Sequence, residues 1–240
     1  AQAKTFGKVP GHLAGIAELI ALSSATAESR VLDVACGPGL LACEFAKRAS
    51  SVTGADISKE MLKKAAERAS AMNLENISWV HSDAYAMPFP AGSFDIVATR
   101  YSLHHMLEPK RLLAEMLRVC KTGGRVLLCD VVIAAQANEN YDALELLRDD
   151  SHVHALTNDE FEALQHDSAL VDVKTASFEI EIALETQIAA SKFKSEADAL
   201  EFKRRILTEG ANGKLGVKVK QQDGICSYFC PIKAFSAKKA

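Results

Sequence analysis

Five short runs rich in β-branched residues constrain this chain most: Arg30–Ala35, Ser51–Ala55, Ile77–His81, Phe94–Thr99 and Arg125–Val132. Between them stand segments with helical periodicity, Leu40–Ala49, Ser58–Met72 and Pro109–Cys120. Strand, helix and strand joined by short connections are βαβ units. They demand a parallel sheet with helices on both faces and right-handed crossovers. Local signals agree. Ser58 stands where an N-cap belongs, and Met61, Leu62, Ala65 and Ala69 then share one helix face. Pro109 suits a first helical position, and the glycines of "KTGG" (Lys121–Gly124) are expected to end that helix. Beyond Val132, helices are expected over Asn138–Leu147, Asp159–His166 (capped by Asn158 or Asp159) and Ser191–Thr208, and strands over Ala176–Leu184 and Ile225–Phe235.

The chain has 240 residues, 48% of them hydrophobic and 25% charged, enough for one α/β domain with a core that needs no disulfides. A net charge of -3 without a basic stripe argues against nucleic acid as a partner. Lys233, Lys238 and Lys239 read as a solubilising end. The six cysteines form no C-x-x-C pair and no Cys/His spacing typical of zinc. No metal is expected, and a reducing, cytoplasmic compartment is. No window approaches a membrane span, and no signal peptide is visible. Monomer and homodimer both stay open.

The stretch "VLDVACGPGLL" (Val31–Leu41) places two glycines between the first strand and the first helix. Such a loop turns its backbone N–H groups and a helix N-terminus toward a ligand. Asp56 ends the second strand 17 residues beyond Gly39, where an acid can accept ribose hydroxyls. Gly37, Gly39 and Ala42 also fit the looser dinucleotide pattern G-x-G-x-x-A. However, Asp33, inside the strand before the loop, is a poor neighbour for a pyrophosphate. It suits the amino group of a methionine moiety, which points to S-adenosylmethionine.

The stretch "VLDVACGPGLLACEFAKRASSVTGADISKEMLKKAAERA" resembles the opening strands of class I S-adenosylmethionine-dependent methyltransferases. "HSDAYAMPFPAGSFDIV", "LHHMLEP" and "EMLRVCKTGGRVLLCDVV" continue the match in order, over about residues 30–133. The branch includes the quinone-biosynthesis C-methyltransferases, and "LELLRDDSHVHALTNDEF" resembles a subgroup with a helical cap. The resemblance implies a Rossmann-like, doubly wound α/β fold whose seven-stranded sheet is mostly parallel with an antiparallel last strand. Within a single domain, residues 1–29 would form N-terminal lid helices, with Phe6, His12 and Gly15 near the cofactor. Residues 30–133 would form the cofactor core, 134–156 and 186–222 substrate cap segments, and 224–236 the last strand. It also implies that Asp33, Ala35, Gly37 and Gly39 surround the methionine end. Asp56 would hold the ribose, Ile57 and Met61 would flank the adenosine, and Asp83 and Ala84 would hold the adenine.

The fourth strand ends in "TRYSLHHM", which the parallel-sheet rule places beside the cofactor. Arg100, Tyr101, His104 and His105 are therefore candidates for catalysis, with Arg100 and His105 also near the cofactor. Histidine suits a proton acceptor near neutral pH. "LRDDSHVH" adds Arg148 and His152 from the cap. N-P-P-Y, frequent in amino-methylating relatives, is replaced by "TRYS", which favours a carbon or oxygen acceptor on a small molecule. Two other readings compete: a nicotinamide-dependent oxidoreductase, and a non-catalytic carrier of a lipid or bulky cofactor.

Overall fold

A computed structural model describes residues 15–240. The expected alternation becomes β1 (Arg30–Val34), α2 (Leu40–Ala46), β2 (Ser51–Asp56), α3 (Lys59–Ala71), β3 (Ile77–His81), β4 (Phe94–Arg100), α4 (Pro109–Val119) and β5 (Cys120–Ile133), preceded by α1 (Ile16–Ser23). There follow α5 (Ala135–Glu145), β6 (Leu156–Thr157), α6 (Asn158–Gln165), β7 (Leu170–Ala183), α7 (Leu184–Ala190), α8 (Glu196–Arg205), β8 (Lys218–Gln222) and β9 (Ile225–Lys239). The main sheet runs β3-β2-β1-β4-β5-β9-β7, with β6 on β5 and β8 on β9. β1 to β5 are mutually parallel, and β9 enters antiparallel between β5 and β7. The seven-strand path with an antiparallel last strand is thus the observed one, extended by two short strands.

Alternate residues of each strand feed opposite faces. Val31, Ile96 and Leu127 join the layer built with Leu19, Phe45 and Phe202. Leu32, Val97 and Leu128 join the layer built with Leu112, Met116 and Phe161. Leu32, Val97 and Leu128 are fully buried, which stabilises the fold by about 1.5–3 kcal/mol per side chain. The β1–β5 strands run together, so their C-terminal ends gather along one edge, where the loops carrying function emerge.

Several local expectations need correction. α4 stops at Val119, because Cys120 turns extended (ψ 139°) and starts β5, so "KTGG" lies within a strand rather than capping a helix. α6 is capped by Thr157, which shares a capping box with Glu160. Lys238 and Lys239 are not a loose tail. They lie in β9, and the Lys239 ammonium donates to the Cys120 carbonyl at 2.9 Å. The second cap segment is not wholly helical, since β8 pairs with β9. Of the N-terminal stretch expected as a lid, residues 1–14, including Phe6 and His12, lie outside the described residues. α1 packs against the sheet: Ile16, Leu19 and Ile20 are buried in the same layer as Val131 and Ile180. Among the described residues, no helix is long and apolar enough to cross a membrane.

Candidate active site

The loop after β1 holds three left-handed residues, Ala35 (φ 53°), Gly37 (φ 53°) and Gly39 (φ 75°). A Cβ on Gly37 would meet nothing within 4 Å, so this glycine leaves open space for a ligand. Gly39 does something else. A Cβ there would lie 2.7 Å from Trp79 and 2.9 Å from Ala65. Gly39 therefore lets the start of α2 press against β3 and α3. It is not among the residues that line the cavity beside it. Apart from Gly15, the other described residues expected around the cofactor line one cavity of about 520 Å³.

Three features of this cavity are electrostatic. Asp33 is buried, and its Oδ2 meets no hydrogen-bond partner among the described residues. Burial pushes its carboxyl up to about 7, although the Ala42 backbone N–H and the Arg100 charge pull it down. A desolvated acid with an unused oxygen is suited to receive a cation. Arg100 lies in the same cavity, its guanidinium 3.9 Å from the centre of the Tyr101 ring. Asp33 and Arg100 together match the two charges of an amino-acid zwitterion. Asp56 is fixed by two backbone donors at 2.8 Å, Gly37 N–H on Oδ2 and Ser58 N–H on Oδ1. Each of its oxygens keeps a further lone pair for vicinal hydroxyls. Ile57, 70% exposed at the rim, offers apolar contact to a flat ring. Asp83 Oδ1 accepts from Tyr85 N–H at 2.8 Å, which sets its direction.

A second, smaller cavity of about 100 Å³ adjoins the first, and Tyr101 and His105 line both. Here the structure joins "TRYSLHHM" to "LRDDSHVH". Val153 N–H and His154 N–H both donate to the His104 carbonyl, and His105 Nδ1 meets the Ser151 carbonyl at 2.9 Å. Burial and the neighbouring His104 push His105 down to about 4, so it stays neutral. Tyr101 carries a buried hydroxyl whose pKa burial raises, although the Arg100 charge and hydrogen bond pull it down, which leaves it a donor rather than a base.

Two Asp–His pairs face this second cavity. His104 Nδ1 lies 2.6 Å from Asp130 Oδ1, and Asp130 also accepts from Leu103 N–H (2.6 Å) and Val131 N–H (2.7 Å). Burial lowers the His104 pKa, but the charge and hydrogen bond of Asp130 outweigh it and the net shift is upward. His152 Nε2 lies 2.7 Å from Asp142 Oδ1. Arg148 is locked onto buried Glu145, so the pair presents little net charge. Asp130, Asp142 and Glu145 were not singled out from sequence. For Asp130 a signal existed: an acid inside the apolar run "LLCDVV" at the C-terminal end of a strand is as conspicuous as Asp33. Among the described residues, no three His, Cys, Asp or Glu side chains group as a metal site would.

Comparison with known proteins fits this geometry. Residues 32–128 match the family model described as "Methyltransferase domain". The fold is that of the class I methyltransferases. The chain is 34% identical over 148 residues to the uncharacterized methyltransferase YcgJ of Bacillus subtilis, covering 61% of this chain and 58% of YcgJ. It is 36% identical over 104 residues to demethylmenaquinone methyltransferase of Clavibacter sepedonicus, covering 43% and 42%. The chain thus spans about half the length of these curated relatives. The crystal structure of YcgJ superposes with a TM-score of 0.80 at 26% identity, over 94% of this chain and 98% of that one. The donor of class I methyltransferases is S-adenosylmethionine. The larger cavity fits it, since Asp33, Arg100 and Asp56 could hold its ammonium, carboxylate and ribose.

Proposed function

We propose that the protein transfers a methyl group from S-adenosylmethionine to a carbon or oxygen atom of a small-molecule acceptor in the second cavity. One observation carries this reading: an acid-lined cofactor cavity and a histidine-lined cavity share a wall at Tyr101 and His105. When bound, the cofactor supplies a methyl group already activated by its sulfonium. The chain's task is to align the acceptor, keep water out and take up a proton. Asp33 would pair with the ammonium and Arg100 with the carboxylate. Asp56 would accept the ribose hydroxyls, with Ile57 and Met61 flanking the adenosine. Asp83 would accept from the adenine amine beside Ala84.

At the acceptor, each Asp–His pair fixes one imidazole nitrogen and leaves the other for the acceptor. The carboxylate also stabilises the imidazolium that proton uptake creates. The cavity, of about 100 Å³, suits a small acceptor group. The net charge of -3 supports a small molecule over nucleic acid. Six free thiols, five of them buried, support a cytoplasmic setting.

Calorimetric titration tests the reading. Binding of S-adenosylmethionine and S-adenosylhomocysteine without NAD is expected. Micromolar binding of NAD alone would establish the oxidoreductase instead. Cofactor binding with no transfer across a broad panel of phenols, enols and carboxylic acids would favour the non-catalytic carrier.

A further inference from the structure

The segment between α5 and β6, residues 146–155, helps to wall both cavities: Arg148, Asp149 and His152 line the smaller one and Ser151 the larger. Several of its fastenings keep their charge state across neutral pH. Val153 N–H and His154 N–H donate to the His104 carbonyl, Arg148 is held by Glu145, and Lys194 reaches Asp150 at 2.5 Å. The His154 side chain is different. Its Nδ1 lies 2.8 Å from Asp142 Oδ2 on α5, and its Nε2 lies 3.0 Å from Glu160 Oε2 at the start of α6. An ionised carboxylate only accepts, so both ring nitrogens must donate, and a ring that donates twice is an imidazolium. The surrounding charges agree. Burial lowers the His154 pKa, but the hydrogen bonds and charges of Glu160 and Asp142 outweigh it and the net shift is upward. Burial raises both carboxyls, yet each is held below its ordinary value, Asp142 by His152, Ala155 N–H and His154, and Glu160 by Thr157 and His154. The other acids around this segment are engaged elsewhere: Asp130 by His104, Glu145 by Arg148, Asp149 by Ser151 and Glu162 by Lys233 of β9.

We propose that His154 is a pH-sensitive clasp: its imidazolium, held between Asp142 and Glu160, fastens the segment that walls the acceptor cavity to the start of α6, and loss of its proton loosens that wall. The clasp goes beyond the methyl-transfer reading and needs it only for the effect on an acceptor. A neutral ring keeps one N–H, so its other nitrogen turns a lone pair on a carboxylate oxygen. Asp142 is anchored independently, its Oδ1 accepting from Ala155 N–H at 2.9 Å and meeting His152 Nε2 at 2.7 Å. Glu160 is half exposed, so the Glu160 side is the one that gives way. The sign follows from the upward shift. The hold is complete below the ordinary 6.5 and is lost as pH rises through the higher value of the folded protein.

The test uses the full chain, ¹⁵N-labelled and saturated with S-adenosylhomocysteine. NMR follows the two ring nitrogens of His154, assigned with His154→Gln, and the exchange protection of the Val153 and His154 backbone N–H groups. At pH 6 both ring nitrogens should carry protons. Protection should fall by about fivefold or more over the pH interval in which the ring titrates. Glu160→Gln keeps a capping-box residue at the start of α6 and removes one of the two charges. It should lower the ring midpoint by about half a pH unit or more and move the loss of protection with it. A ring already neutral at pH 6, a ring midpoint unmoved by Glu160→Gln, or protection that does not follow the ring overturns the clasp. With an acceptor found in the panel, KM should climb over the same interval, and over the lower one in Glu160→Gln. A KM that ignores the ring overturns the clasp's hold on the acceptor. Absence of any transfer by the wild type would refute the methyl-transfer reading, while the exchange data decide the clasp by themselves.

Discussion

Cofactor affinity should depend on pH through Asp33. Its carboxyl lies at about 7 because burial strips away its water, so near neutrality about half of the empty protein carries this proton. A bound ammonium holds the group ionised, and binding below pH 7 must expel the proton. The factor lost is 1 + 10^(pKa − pH), roughly 2 at pH 7 and roughly 11 at pH 6, hence about fivefold in Kd, or about 1 kcal/mol, between them. The ligand's α-amino group stays protonated across this range. Stability moves the opposite way. Because the folded value lies above the ordinary 3.8, the empty protein loses stability from Asp33 as pH rises from 3.8 to about 7, and the cation restores it. Calorimetry of S-adenosylhomocysteine in buffers of different ionisation enthalpy reads both quantities. About 0.9 proton should be released at pH 6 and about 0.5 at pH 7. Asp33→Asn should bind weakly and show neither the release nor the slope. A flat Kd from pH 6 to 7 in the wild type, or a slope that survives in Asp33→Asn, would refute the assignment of the ammonium to Asp33.

Asp56→Ala removes the acceptor for Gly37 N–H and Ser58 N–H as well as for the ribose, so cofactor binding should weaken by about 1–3 kcal/mol. Equal Kd values by calorimetry would place the ribose elsewhere. Gly39→Ala puts a Cβ 2.7 Å from Trp79 at a φ of 75°, and strain plus overpacking should cost about 2–4 kcal/mol in denaturant unfolding. A loss under 0.5 kcal/mol would show that the loop can shift freely. His104→Ala should cut turnover about 10²-fold or more while leaving S-adenosylhomocysteine affinity unchanged. Equal rates would remove His104 from the reaction.

The cofactor half was legible because its signals are local. Ser58 caps α3 as expected, its side chain accepting from Met61 N–H, and Asp33, Gly37 and Asp56 fall within a few residues of strand ends. Gly39's packing role against Trp79 and Ala65 was not legible, because a glycine needed for packing and one needed for ligand approach look alike in sequence. Most of the first half of β7 escaped because Val171–Thr175 lies exposed at a sheet edge and carries no burial pattern to read. The acceptor half was legible only in part. The histidines stood out, but their partners did not, since His104 meets Asp130 across 26 residues and His152 meets Asp142 across 10. No periodicity encodes such pairings; they exist only after β5, α5 and the 148–154 segment have packed.

The place of β9 sets a timetable for biosynthesis. Chains fold as they are made, N-terminal parts first. Every residue expected to touch the cofactor lies before residue 106, so that half can assemble while the ribosome is still at work. β9 is made after β1 to β8, yet it must slot between β5 and β7. Tyr228, Cys230 and Ile232, which wall the acceptor cavity, ride on it. A nascent chain can therefore hold a formed donor site while its acceptor side is still a gap between two unpaired strand edges, the kind of edge that invites wrong partners. Cofactor captured at that stage would steady the early half while β9 arrives.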